Sequence, residues 1–235
     1  MPLKSLLGVL LPLTFASTVF SAAKVEETVA GPARPDAMYL VSPAGVRLAT
    51  VTMKGPSHLV IVDGVEGPLF DQMLQINGEP FYAAGSGIST TGHLPPVVFS
   101  ADGQRHAYVA RRGTEAVVMV DGKEHARIPH AINFLKHGPL MFSPGGKHLH
   151  YVTWDSSTGH RLVINGQAGP VLDGAPVAIA FSADDARYAY VAPRARTRDD
   201  HLLVVDGKET NYTSTRPARY QDLAFTSDRK LVVVV

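Results

Sequence analysis

The 235-residue sequence has no cysteine, so it can carry neither a disulfide framework nor a lipid-accepting thiol, and its fold must be held by burial and hydrogen bonding. It has almost no net charge: 22 basic residues face 21 acidic ones. A balance this even lacks the electrostatic footprint of a nucleic-acid or anionic-membrane binder, so neither partner is expected. Helical periodicity is missing outside the N-terminus. The common carriers of catalysis are missing as well: there is no Gly-x-Ser-x-Gly elbow, no Gly-rich phosphate loop ahead of a helix and no His-Glu-x-x-His. No catalytic residue and no cofactor are expected on these grounds.

What the sequence has instead is a repeat. The segments Phe99-Ser100-Ala101-Asp102-Gly103, Phe142-Ser143-Pro144-Gly145-Gly146, Phe181-Ser182-Ala183-Asp184-Asp185 and Phe225-Thr226-Ser227-Asp228 start 43, 39 and 44 residues apart, after a degenerate copy at Val41-Ser42-Pro43-Ala44-Gly45. Nine residues on stands a tyrosine in three copies (Tyr108, Tyr151, Tyr190), and ten residues on a valine in all five (Val51, Val109, Val152, Val191, Val235). A second turn follows 22 to 25 residues behind each of the first four starts, at Asp63-Gly64, Asp121-Gly122, Asn165-Gly166 and Asp206-Gly207. A period of about 40 residues with two turns per unit is the pattern of a propeller blade.

Turn chemistry gives the unit its physical content. Asp-Gly and Asn-Gly suit a two-residue type I′ hairpin, whose central residues both need positive φ. Val117–Val120 and Lys123–Arg127 are therefore expected to pair antiparallel. The Ser-x-Asp-Gly stretch is a second turn, joining Val97–Ser100 to His106–Arg111, in which the Ser or Asp side chain bonds the backbone. Inner segments such as Ala107-Tyr108-Val109-Ala110 and Ala189-Tyr190-Val191-Ala192 are apolar on both faces, as strands are when a sheet is sandwiched between two neighbours. The composition agrees, with 45% hydrophobic residues, 21 Gly and 17 Pro. The expected fold is all-β, a β-propeller of four-stranded antiparallel blades with four full repeats and a partial fifth, either a five-bladed ring or part of a larger propeller.

The run Phe-Ser-x-Asp-Gly, then Ala-Tyr-Val-Ala, then Val-Val-Asp-Gly-Lys-Glu, resembles the blade repeat of bacterial TolB-like propellers, relatives of the WD-repeat proteins, over about Leu40 to Val235. That resemblance implies a scaffold of the kind used by periplasmic interaction proteins, sensors and the non-catalytic halves of some peptidases. It does not imply one activity.

Met1–Ala23 has the three parts of a secretory signal peptide: Lys4, the apolar Leu6–Leu11 core and the small residues Ser21-Ala22-Ala23. Cleavage near Ala23 would leave an exported, periplasmic or extracellular protein that is not a lipoprotein and does not insert stably in a membrane. Loss of Lys4 with the leader leaves 21 basic residues against 21 acidic. Residues 24–37 read as a lead-in with one strand at Glu27–Ala30, and 38–235 as the propeller, with repeats at about 38–96, 97–139, 140–177, 178–222 and a partial one at 223–235. The apolar last residues Leu231–Val235 fit two readings: the lead-in completes the fifth blade, or the chain is part of a longer protein. The second is favoured.

Candidate site residues come from departures from the repeat. His148 and His150 lie at i and i+2 on an expected strand, on one face, and with His137 could share a metal. The other copies carry Arg47, Arg105 and Arg187 at the His148 position, and Ala49, Ala107 and Ala189 at the His150 position. A hydrogen-bonded structural role is the favoured reading for both. His106, where other copies have Leu48, Leu149 and Tyr188, reads as a core residue. The first repeat carries some 16 extra residues within Gln75–Pro95, including Phe81, Tyr82, Gly85-Ser86-Gly87 and His93, and recognition loops grow out of rigid scaffolds in this way. A second insertion, Pro193–His201, alternates Arg and other residues before Asp199-Asp200 and reads as a solvated tip. Trp154, the only tryptophan, is either a contact residue or packed against the next blade.

The function expected is an exported, non-catalytic propeller that binds a protein or small ligand. The alternative is a gating or substrate-access propeller of a larger hydrolase whose catalytic domain is not in this chain.

Overall fold

The computed structural model describes residues 36–75, 95–129, 140–155, 157, 159–193, 201–210 and 223–233, all within one compact unit, Pro32–Val235. The expectations for the leader, for the lead-in up to residue 35, for Phe81, Tyr82, His93 and His137, and for the tip 194–200 lie outside the described residues.

Every described element is a strand. The first sheet comprises β1 (Met38–Val41), β2 (Leu48–Lys54), β3 (Ser57–Val62) and β4 (Val65–Glu66), and the second β5 (Gln72–Leu74), β6 (Val97–Phe99), β7 (His106–Arg112), β8 (Glu115–Val120) and β9 (Lys123–Pro129). The third comprises β10 (Met141–Phe142), β11 (Leu149–Asp155), β12 (Gly159–Ile164) and β13 (Gln167–Ala168), and the fourth β14 (Ala178–Phe181), β15 (Tyr188–Pro193), β16 (His201–Val205) and β17 (Lys208–Thr210). A last pair is β18 (Leu223–Phe225) with β19 (Leu231–Val233). Sheets one, three and four are four-stranded, with strands adjacent in chain order. All pairings are antiparallel.

The hairpin turns explain this regularity. Asp63, Asp121, Asn165 and Asp206 have φ of 50° or 51°, and the glycines after them φ of 77° to 81°, so both central residues of each turn are left-handed. Each Asp or Asn side chain then accepts the backbone N–H that opens β2, β7, β11 or β15: Leu48 (2.9 Å), His106 (2.9 Å), Leu149 (3.0 Å) and Tyr188 (3.0 Å). A residue chosen for its φ therefore also satisfies a donor that the ladder leaves over.

Sheet two departs from the four-strand expectation because β5 and β6 share its inner edge. β6 pairs only with His106–Tyr108 of the seven-residue β7, and β5 pairs with Val109–Arg111. The rest of β7 would otherwise present unpaired backbone groups, and β5 covers them. The expected insertion falls between these two strands.

The core is distributed between sheets rather than pooled in one centre. Val51, Val60, Phe70, Met73 and Tyr108 bury the junction of sheets one and two. Val109, Val118, Leu140, Leu149 and Tyr151 bury that of two and three. Val152, Leu162, Leu172 and Tyr190 bury that of three and four, and Val191, Leu203 and Leu223 that of four and the last pair. Sheets stacked face to face through apolar layers, with middle strands such as β7, β8, β15 and β16 buried on both sides, form a propeller-like arrangement. The repeated tyrosines are interior residues, and burial pushes the hydroxyls of Tyr108, Tyr151 and Tyr190 up to about 12. Ala49, Ala107 and Ala189 are fully buried (0% exposed), which accounts for their small size where sheets approach closely.

Candidate functional site

Three of the four junctions between sheets are tied by an arginine that the repeat places just before β2, β7 or β15. Arg47 bonds Asp63 of its own sheet through Nε (2.7 Å) and the carbonyl of Gln104 in the next repeat through Nη1 (2.6 Å). Arg105 bonds Asp121 (3.0 Å) and the carbonyls of Gly146 and Lys147 (3.2 and 3.1 Å). Arg187 bonds Asp206 (2.9 Å) and the carbonyl of Arg229 (3.1 Å). The phenylalanine of the next motif receives the guanidinium on its face: Arg105 lies 5.1 Å from the Phe142 centroid and Arg187 lies 5.4 Å from that of Phe225. The motif serine caps its own turn, its oxygen accepting from the amides of Arg47, Arg105, His148 and Arg187 in the successive copies. Partial burial pulls the Asp63 carboxyl upward, but the Leu48 amide and Arg47 hold it below the usual carboxylate range.

The junction of sheets three and four is built differently. His148, one residue before β11, stands where the arginines stand. Its Nδ1 accepts from Asn165 Nδ2 (2.8 Å) and its Nε2 donates to the Asp185 carbonyl (2.8 Å), so the network assigns the neutral Nε2–H tautomer. Its ring stacks on Phe181 at 5.8 Å. The turn of the third copy has Gly145 where Asp102 and Asp184 stand in the second and fourth, and the missing carboxylate comes from the next repeat. Asp185 accepts from Ser143 Oγ (2.6 Å), Gly145 N (3.2 Å) and Lys147 N (3.0 Å). These replace the bonds that Asp102 and Asp184 make within their own turns to Ser100 and Gln104 and to Ser182 and Ala186. Asp185 holds φ of 57° at a position occupied elsewhere by Gly103 and Gly146. A Cβ on Gly145 would lie 2.7 Å from the Asp185 carboxylate, so the two departures from the repeat are one compensated pair.

Beside this junction lies the candidate binding site, a cavity of about 740 Å³. Its wall is drawn from β6, β10, β14 and β18, each the strand that a motif phenylalanine ends, and from β11, and none of the described residues that line it carries a formal charge at neutral pH. Phe99, Phe142, Phe181 and Phe225, all from the repeated motif, face it together with Met141, Ile179 and His150. His150 pairs with Met141 and Ile164 in the ladder and tilts against Phe181 at 5.0 Å. Its Nδ1 is closed off from solvent and has no hydrogen-bond partner among the described residues. Burial, with a smaller contribution from His148 and opposed by Asp185, pushes the imidazole down to about 4, so it is neutral.

His148 and His150 thus flank one phenylalanine, but both ring nitrogens of His148 are committed to protein partners. Among the described residues no group of three or more His, Asp or Glu side chains is disposed to hold a metal ion. Trp154 lies away from the cavity wall, half-buried and tilted over its ladder partner His160 at 6.3 Å. His106 is an interior residue whose imidazole is held below its usual range by burial and by Arg47. The cavity and Asp185 escaped the sequence reading. A signal for Asp185 existed, an Asp at the glycine position one copy after a Gly at the aspartate position, whereas the cavity depends on strands more than 120 residues apart.

No family model matches the chain, and no curated protein matches it. Among solved structures it is similar to Kuenenia stuttgartiensis hydrazine synthase, at 12% identity and a TM-score of 0.39, over 88% of this chain and 57% of that one. It is also similar to TolB from Acinetobacter baumannii, at 13% identity and a TM-score of 0.37, over 83% of this chain and 48% of that one. The chain spans about half the length of these solved structures. The propeller-like assignment rests on the stacked sheets themselves.

Proposed function

We propose that the chain is an exported, non-catalytic scaffold that binds a small ligand in the cavity among its inner strands. The observation that carries this reading is the uncharged, aromatic-rich wall of about 740 Å³, assembled from four successive repeats. The polar side chains of the turns support it indirectly, because they are spent on holding sheets together: the Arg, Asp and Ser side chains of the motif are already paired. The test is a fragment screen read by ligand-observed NMR against the parent and an Ala224→Trp variant. Ala224 lines the cavity and is exposed, so the indole fills space without displacing core. Binding lost in the variant at unchanged Tm supports the reading. Binding that persists in the plugged protein overturns it.

A further inference from the structure

We infer that the cavity selects an uncharged, largely aromatic molecule carrying one hydrogen-bonding group, and that His150 is the residue that reads that group. This rests on the cavity-binding reading above.

The exclusion of charge follows from the wall. A charged ligand leaving water loses several kcal/mol of hydration unless the site returns it through a counter-charge or several dipoles. Among the described residues no Asp, Glu, Lys or Arg lines the cavity, and Arg105 and Arg187 of the repeat are turned to neighbouring carbonyls and carboxylates. The preference for an aromatic body follows from Phe99, Phe142, Phe181 and Phe225, contributed one per repeat, whose faces and edges suit ring stacking. Phe142 and Phe225 already carry Arg105 and Arg187 on one face, which fixes their orientation.

His150 stands apart from the other polar groups of the wall. Ser143 donates to Asp185 and accepts from His148 N, so its hydroxyl is used. Tyr151 is 2% exposed and belongs to the core of sheets two and three. Among the described residues the Nδ1 of His150 has no partner, at a position where the other full repeats have Ala49, Ala107 and Ala189. A buried polar atom left unmatched weakens the fold; the Nδ1 itself is closed off from solvent, so a ligand hydroxyl or carbonyl would recover that loss once the ring turns about χ2 to bring this nitrogen to the cavity face.

The experiment uses four matched probes, 2-naphthalenemethanol, 2-methylnaphthalene, 2-naphthoate and 2-naphthylmethylammonium, with Kd measured by NMR titration on the parent, His150→Phe and Ala224→Trp. The alcohol should bind the parent at least tenfold more tightly than either ion. His150→Phe, which keeps the ring, should weaken the alcohol at least fivefold and leave the hydrocarbon within twofold. If an ion binds as well as the alcohol and Ala224→Trp abolishes it, the ligand class is wrong while the cavity reading survives. If His150→Phe weakens alcohol and hydrocarbon equally, the anchoring role of His150 is wrong. If no probe binds, or all bind the plugged variant unchanged, the cavity reading itself fails.

Discussion

The junctions on either side of sheet three solve one problem with different chemistry. Between sheets two and three, Arg105 reaches Asp121, two carbonyls and the face of Phe142, and Asp102 closes its own turn. Between sheets three and four, His148 with Asn165 replaces the ion pair, the carboxylate for the turn is lent by Asp185 of the following repeat, and a histidine replaces the packing alanine. The arginine junction is a tie between a turn and its neighbour. The histidine junction interlocks two turns through one buried carboxylate, and it lies beside the cavity. The comparison teaches that geometry is held constant along the stack while the atoms that satisfy it are exchangeable.

The sharpest way to break the comparison is Asp185→Gly. It removes the acceptor for three donors at a site 3% exposed, and should cost about 3 kcal/mol, offset by about 1 kcal/mol because glycine relieves the positive φ. Gly145→Asp alone should also destabilise, by steric and charge conflict with Asp185. The double variant should recover most of the loss, since the carboxylate then sits where Asp102 and Asp184 sit in the other copies. Chemical denaturation of the four proteins gives the coupling, and simple additivity would refute the exchange.

Comparable in size is the pH dependence carried by His150. Its imidazole is pushed down to about 4 in the folded protein from an ordinary 6.5, so between those values the unfolded chain takes up a proton that the folded one refuses. Stability should be fully present above about 6.5 and fall as the pH drops toward 4, by at most roughly 3 kcal/mol, with a ceiling because the ring keeps some exposure. His150→Ala should flatten this part of the profile, and an unchanged slope in denaturation from pH 7 to 4 would mean another group carries it.

A smaller effect is expected at Gly122, whose φ is 77° and where an added Cβ meets nothing within 4 Å. Gly122→Ala should cost about 1 kcal/mol from backbone strain alone. The same substitution at Gly103 (φ 70°) should cost more, because its Cβ would lie 2.9 Å from Ser42 Oγ in the preceding turn. Equal Tm shifts would show that the turns of adjacent repeats do not press on one another. Smallest is the conversion of the histidine junction to the arginine type by His148→Arg with Asn165→Asp. It should change stability by no more than about 1 kcal/mol, because a neutral hydrogen bond is exchanged for a partly exposed ion pair. A large loss would mean that the histidine is specific to this junction.

The sequence alone determined the strand-turn-strand unit, because its causes are local. Asp-Gly and Asn-Gly name residues that tolerate positive φ, and the 43-, 39- and 44-residue spacings keep the same side chains in register. It also marked His148, His150 and the inserted stretch as departures, since each copy serves as a control for the others. What it could not carry was the meaning of those departures. Only the tertiary structure decided that the motif phenylalanine receives the preceding repeat's cation, that Asp185 serves a turn about 40 residues away, and that His150 borders a cavity. Those outcomes depend on which face of one sheet meets which face of the next. A period in one dimension fixes the order of the sheets, but distances across a junction arise only once the apolar layers have packed.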